Sequence, residues 1–266
     1  MQSSYLVAEN LSIKAKNIIL DKEDEVSIFK NNVVIKTEDN EIITSDYAEY
    51  NKKKNFIILK DNISIIDDRK NTTKTNYAEF DVLNKILISK GQTEISTAEN
   101  FIVKGENITL DARKNLIKSN DRTVITDQDF NQIYLNNFEY LKNQNIFKSI
   151  GLIKIEDING NSYEFSQIYI DTKKKEILGT DTKAFLNDNQ FKINKNNKPR
   201  VFANTIELKQ NQTTFDKSIF TLCDYRKNDK CPPWSIQASK MMHDNKKKTI
   251  YYNNAVIKIY DFPIFY

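Results

Sequence analysis

The single histidine of the chain, His243, stands beside Asp244 in the segment MMHD. A histidine and a carboxylate are the parts of a general base. In an extended segment, though, successive side chains point to opposite faces, so these two cannot bond each other. Carboxylates suited to glycoside hydrolysis are plentiful, but the recurring ones, Asp21, Asp81, Asp111 and Asp171, each open a short polar segment. Aspartate bonds its own backbone two residues on and starts turns, which accounts for these positions without catalysis. The chain has neither a phosphate-binding glycine loop nor a nucleophile elbow. No catalytic residue is assigned, the chain is not read as an enzyme, and no cofactor is expected.

The two cysteines, Cys223 and Cys231, form with His243 a ligand set one short of what a structural zinc needs. No metal site is expected. Read as thiols, they fit a local disulfide closing a short loop, pairing with cysteines outside this chain, or two reduced side chains. The tyrosines and phenylalanines could stack bases. The net charge is only +4, however, with both signs spread along the chain. A nucleic-acid surface would gather its lysines and arginines on one element, so no nucleic-acid partner is expected.

The elements that position these residues come from a repeat. DYAEYNKKKNFIILKDNISI (46–65) is echoed thirty residues on by NYAEFDVLNKILISKGQTEI (76–95). The same step links Ile18, Ala48, Ala78, Ile108, Phe138 and Ile168. Parallel columns hold Leu20, Tyr50, Phe80, Leu110, Tyr140 and Ile170; Val26, Phe56, Ile86, Leu116 and Ile146; and Ile35, Ile65, Ile95, Ile125, Ile155 and Phe185. A fixed period with apolar columns marks a repeat architecture. Between the columns lie DKEDE, NKKKN, DVLNK, DARKN, LKNQN and DTKKK, nearly all opening with Asp or Asn as a hairpin turn does. The flanking runs alternate apolar and polar residues and are rich in β-branched and aromatic types, the pattern of antiparallel strands. Asp61–Asn62 and Lys90–Gly91 mark a bend or bulge in the second strand of a copy.

The expected fold is all-β: an elongated antiparallel β-jelly roll of two facing sheets, built from about eight copies. A parallel solenoid is the rival, and the turn inside every copy favours hairpins. Residues 1–186 hold the regular copies and 187–266 the decorated ones, with the excess in NDNQFKINKNNKPR and CDYRKNDKCPPW. No apolar run approaches the length of a membrane-spanning helix. The columns predict an apolar groove lined by Ile18, Leu20, Ile35, Tyr50, Phe56, Ile65, Phe80, Ile86, Ile95, Leu110, Ile125, Phe138 and Tyr140.

The last stretch carries a further signal. In order along residues 221–266 come Cys223, Pro233–Trp234–Ser235, Ala238, His243–Asp244, Tyr252–Asn253–Asn254–Ala255 and Pro263–Ile264–Phe265–Tyr266. This series resembles the end of the periplasmic domain in the LptD (OstA) family of lipopolysaccharide-assembly outer-membrane proteins. Upstream, SDYAEYN and TNYAEFD are similar to the OstA-type repeat that this family shares with LptA-like periplasmic bridge proteins. The resemblance implies a V-shaped β-jelly roll on the periplasmic side of the outer membrane, with the acyl chains of lipopolysaccharide in its groove. It also implies an LptA-like partner on an N-terminal edge strand, a C-terminal β-barrel and an LptE-like plug lipoprotein. In the family, cysteines of this domain pair with cysteines of the barrel, and that role carries over to Cys223 alone. The start lacks a basic segment followed by an apolar one, and the chain ends at Phe265–Tyr266, where a barrel would begin; a fragment of a longer exported protein is expected. The alternatives are a stand-alone LptA-like bridge, a polysaccharide-acting β-solenoid enzyme and a passive adhesive repeat.

Overall fold

The computed structural model describes residues 4–8, 11–21, 23–187, 199–223, 232–244, 246–247 and 249–266. Among them every regular element is a β-strand, and each strand runs antiparallel to its partners. The expected all-β jelly roll is the observed fold. Two compact units divide the chain. The first holds residues 1–128 and 137–144, the second 129–136 and 145–266. The passage from regular to decorated copies at 186/187 falls inside the second unit.

Unit 1 contains β1 (Ser4–Ala8), β2 (Leu11–Ala15), β3 (Asn17–Asp21), β4 (Val26–Thr37), β5 (Ile42–Asn51), β6 (Phe56–Ile66) and β7 (Thr72–Asp81). It continues through β8 (Ile86–Ser89), β9 (Gln92–Ser96), β10 (Ile102–Glu106), β11 (Thr109–Asp111), β12 (Leu116–Ser119) and β13 (Thr123–Thr126). Unit 2 begins with β14 (Gln132–Leu135), while the next strand, β15 (Phe138–Leu141), returns to unit 1. Unit 2 then holds β16 (Ile146–Glu156), β17 (Ser162–Asp171), β18 (Glu176–Phe185), β19 (Arg200–Lys209), β20 (Gln212–Thr221), β21 (Trp234–Asp244), β22 (Thr249–Ile259) and β23 (Phe262–Phe265).

Each long strand of unit 1 bends once, and the bend assigns its two parts to different half-sheets of one continuous sheet. The ladders shift register between Lys30 and Val33, between Thr44 and Tyr47, and between Lys60 and Ile63. At or beside these shifts Asn31 (φ 65°), Asn32 (φ 53°), Asp61 (φ 62°) and Asn62 (φ 50°) lie in the left-handed region. Asn and Asp tolerate that region best among residues with a Cβ. One repeat later Gly91 takes the position, at φ 79°. The predicted bend at Asp61–Asn62 and at Gly91 is thus observed. Turns close the strands at both ends of each copy, not at one. A second left-handed column, Asn40, Lys70, Asn100, Phe130 and Gly160, recurs at the same step.

In unit 1 the pieces assemble into two half-sheets. Half-sheet I joins β3, the start of β4, the end of β5, the start of β6, the end of β7, and then β8, β11, β12 and β15. Half-sheet II joins β1, β2, the remaining halves of β4 to β7, and then β9, β10 and β13. Their inner faces share one apolar core: Phe29 and Ile57 from half-sheet I pack in the same cluster as Ile13 and Ile35 from half-sheet II. Every such contact removes apolar area from water, at about 25 cal/mol per Å².

Candidate functional site

The register shows which columns face inward. In half-sheet I one cross-strand row reads Leu20, Ser27, Tyr50, Ile57, Phe80, Leu87, Leu110, Ile117 and Tyr140. In half-sheet II the facing row reads Ile13, Ile35, Ile43, Ile65, Thr73, Ile95, Val103 and Ile125. These rows gather most of the predicted groove residues. Tyr50, Phe80, Ile35, Ile65, Ile95, Ile125, Phe138 and Tyr140 are buried, and Ile18 and Leu110 pack against the core half-buried. Leu20 belongs to the inner row but is 57% exposed, because β3 is the edge of half-sheet I and its row neighbour is the small Ser27.

Phe56 and Ile86 correct the predicted groove. They pair with Asn51 and Asp81, and with Asp81 and Asp111, in the row next to the inner one. Alternation puts that row on the outer face of half-sheet I. Ile57 and Leu87 are the inward residues in their place, and both are buried.

A second difference concerns the groove itself. Ile13, Phe29, Ile35 and Ile57 have no exposure at all, so the facing rows pack on each other. Among the described residues the interior of unit 1 is a filled apolar seam and not the open groove expected, a filling that the passive-repeat alternative also predicts. A broad concavity of about 590 Å³ lies elsewhere, lined by residues that include Asn62, Ile63, Ser64, Lys74, Gln92 and Lys104. Ser64, Lys74 and Lys104 share an outward row of half-sheet II.

Charged side chains close the seam along the turn ends, where the two half-sheets meet. Lys85, on a turn of half-sheet I, reaches Glu38 at 2.6 Å and Asp39 at 2.8 Å on a turn of half-sheet II. The two carboxylates hold the Lys85 ammonium above the usual lysine range by hydrogen bonding, Asp39 contributing most. The bridge lines a small cleft of about 10 Å³ together with Leu11, Thr37, Glu41, Phe80 and Val82. Further along, the Lys142 ammonium donates to Asp67 at 3.1 Å, and both side chains are buried. Arg69 donates to the Lys142 carbonyl at 2.5 Å and to the Asn143 amide oxygen at 2.7 Å. Glu41, half-buried nearby, has its carboxyl pushed above the usual range by burial, against the pull of Lys142.

The turns that carry these groups are built as expected. Asp21 accepts the Glu23 and Asp24 N–H groups, Asp81 that of Asn84, Asp111 that of Lys114, and Asp171 those of Lys173 and Lys174. The N–H of Asn84 holds the Asp81 carboxyl below its usual range. Neighbouring turns also clasp each other through the backbone: Lys52 N–H to Glu25, Val82 to Asn55, Ala112 to Lys85 and Lys142 to Asn115. The result is a rim of hydrogen-bonded turns. The cross-seam pairs were not read from sequence, because their partners are 46 and 75 residues apart. One signal was available. DDRKN (67–71) and DINGN (157–161) mark the second turn of a copy as clearly as DARKN (111–115) marks the first.

His243 sits in the inner row of unit 2, paired with Thr213 and Ile250, and burial lowers its pKa. Asp244 instead accepts the Lys246 and Lys247 N–H groups and starts a turn. The two side chains therefore serve different faces. Cys223 is half-buried just past β20, its N–H donating to Thr221 Oγ1 at 3.1 Å. Cys231 lies outside the described residues, and with it the Cys223–Cys231 pairing. Among the described residues no His, Cys, Asp and Glu cluster is arranged to hold a metal.

Comparison with known proteins gives no match to any family model and none to any curated protein. Among solved structures the chain is similar to LptH of Pseudomonas aeruginosa, described as the LptA homologous periplasmic component of the lipopolysaccharide transport device. The identity is 13%, the match covers 64% of this chain and 81% of that one, and the TM-score is 0.18. At that score the two backbones do not superpose as wholes, and the functional reading rests on this chain's own residues.

Proposed function

We propose that this chain is a lipopolysaccharide-transport domain of the periplasm, which takes the acyl chains of lipid A between its half-sheets. The observation that carries the reading is the pair of facing apolar rows in unit 1, continuous from strand to strand and bordered by a charged rim. An acyl chain offers only apolar area, about 0.8 kcal/mol per buried CH₂, so a row of near-equal apolar rungs suits a sliding chain better than a shaped pocket. The rim lysines and arginine suit the phosphates of a headgroup.

The order of motifs in residues 221–266 supports the narrower reading of a domain that hands lipopolysaccharide to an outer-membrane β-barrel with an LptE-like plug. On that reading the N-terminal edge receives an LptA-like bridge protein, and the exposed Leu20 on β3 is consistent with an uncovered edge. The regular copies favour one second reading, a stand-alone LptA-like bridge. A competition experiment tests the shared core of both. Purified protein should bind fluorescent lipopolysaccharide saturably, and lipid A should displace it while the deacylated saccharide should not. Equal displacement by the deacylated saccharide, or no binding, overturns the proposal.

A further inference from the structure

The two bridges across the seam of unit 1 differ in kind. The Lys85 bridge is open to solvent, with side-chain exposures of 24% for Lys85, 48% for Glu38 and 41% for Asp39. The Lys142–Asp67 bridge is not, at 7% and 6%. Exposed ion pairs are weak and exchange partners readily, whereas removing a partner from a buried pair strands a charge. Asp67 is tied further: its carboxylate also accepts the Arg69 and Asn71 N–H groups and the Asn71 amide. The exchangeable bridge lines a small cleft together with Leu11, Phe80, Val82 and Glu41. Leu11 and Phe80 belong to the apolar core.

We propose that the Glu38–Asp39–Lys85 bridge is the gate to the apolar interior, that Asp67–Lys142 is its fixed end, and that an anionic headgroup opens the gate by replacing Glu38 and Asp39 on Lys85. The ligand class is an amphiphile with a phosphate or carboxylate head and an alkyl chain. Its head exchanges one charge-assisted contact for another, and its chain follows between Leu11 and Phe80 as the half-sheets part. Glu38 and Asp39 are left to water, which their exposure already allows. The bridge would then exclude neutral apolar solutes while admitting the charged amphiphile. This inference rests on the acyl-carrier reading and adds to it an entry point and a selecting charge.

The test uses the full chain with Cys223→Ser and Cys231→Ser, and dodecyl phosphate and dodecyl maltoside as probes below their micelle concentrations. Binding is read by native mass spectrometry and calorimetry. In Asp39→Cys/Lys85→Cys, oxidation should reduce binding of both probes by about tenfold or more, and reduction of the same sample should restore it. Lys85→Met should bind the maltoside more tightly and lose most of the preference for the phosphate. Glu38→Gln/Asp39→Asn should bind both probes more tightly and keep that preference. Binding indifferent to the oxidised lock, or an unchanged phosphate preference in Lys85→Met, overturns the gate while leaving the carrier reading intact. No chain binding in any variant, the ungated ones included, overturns both.

Discussion

Among the described residues the two units show different contacts at their interiors. In unit 1 the half-sheets are bridged by charges at their turn ends, Lys85 to Glu38 and Asp39, and Lys142 to Asp67. In unit 2 an aromatic contact packs two neighbouring strands together near their bend. Phe165 of β17 lies so close to Gly179 of β18 that a Cβ on Gly179 would overlap its ring. The ion pairs of Lys209, with Glu176 at 3.6 Å and Glu207 at 2.8 Å, stay on neighbouring strands of one face. An exposed ionic bridge can be exchanged for a ligand's charge, but a ring packed on a glycine backbone can only be pulled out into water. On the gate proposal, unit 1 carries an exchangeable ionic contact at its seam, where the described contact in unit 2 is a ring on a glycine backbone.

The strongest way to break that contrast is to remove the buried charge at the fixed end. Lys142→Ala leaves Asp67 buried without its counter-ion, held only by the Arg69 and Asn71 donors, and should cost about 3 kcal/mol of stability, read by denaturant unfolding. Asp67→Asn/Lys142→Met should recover part of it. Gly179→Ala comes next. It forces the Phe165 ring to move and should cost about 1–3 kcal/mol, with Phe165→Leu partly rescuing it. A Gly179→Ala variant as stable as the parent would mean that the interior of unit 2 is looser than the contact implies. The exchangeable bridge should matter least to stability: Glu38→Gln/Asp39→Asn is expected to change it by under about 1 kcal/mol, and by less still in high salt.

Acid sharpens the same comparison. Burial raises the native pKa of Glu41 above its ordinary value near 4.5. Between those two values the folded state binds the proton more readily than the unfolded chain, so this group adds stability as pH falls through the window and withholds it above. Glu41→Gln should therefore be more stable than the parent at neutral pH, and the difference should vanish as pH drops toward the ordinary value. Thermal melts across that range check the sign.

The thirty-residue step made the strands, the Asx turns and the bends legible, because each depends on local chemistry that recurs with the repeat. Asp21, Asp111 and Asp171 open turns for the reason their type suggests. Facing was harder to read. In FIILK (56–60) four consecutive apolar residues carry no phase, and only the register of β5, β6 and β7 puts Ile57 inward and Phe56 outward. The seam was not legible either. A repeat states what each turn contains but not which turn of the opposite half-sheet it will meet. That depends on sheet twist, and it brings residue 67 to residue 142 rather than to a position at the spacing of the Lys85 bridge.

The most direct test of the central claim places a photo-reactive phenylalanine on adjacent positions of β6 and exposes the protein to lipopolysaccharide. Ile57 faces the interior and Phe56 the outer face, so they differ in side but hardly in location. The account predicts a lipopolysaccharide adduct from position 57, and likewise from 80, with little or none from 56. Adducts from 56 with none from 57 and 80 would contradict it.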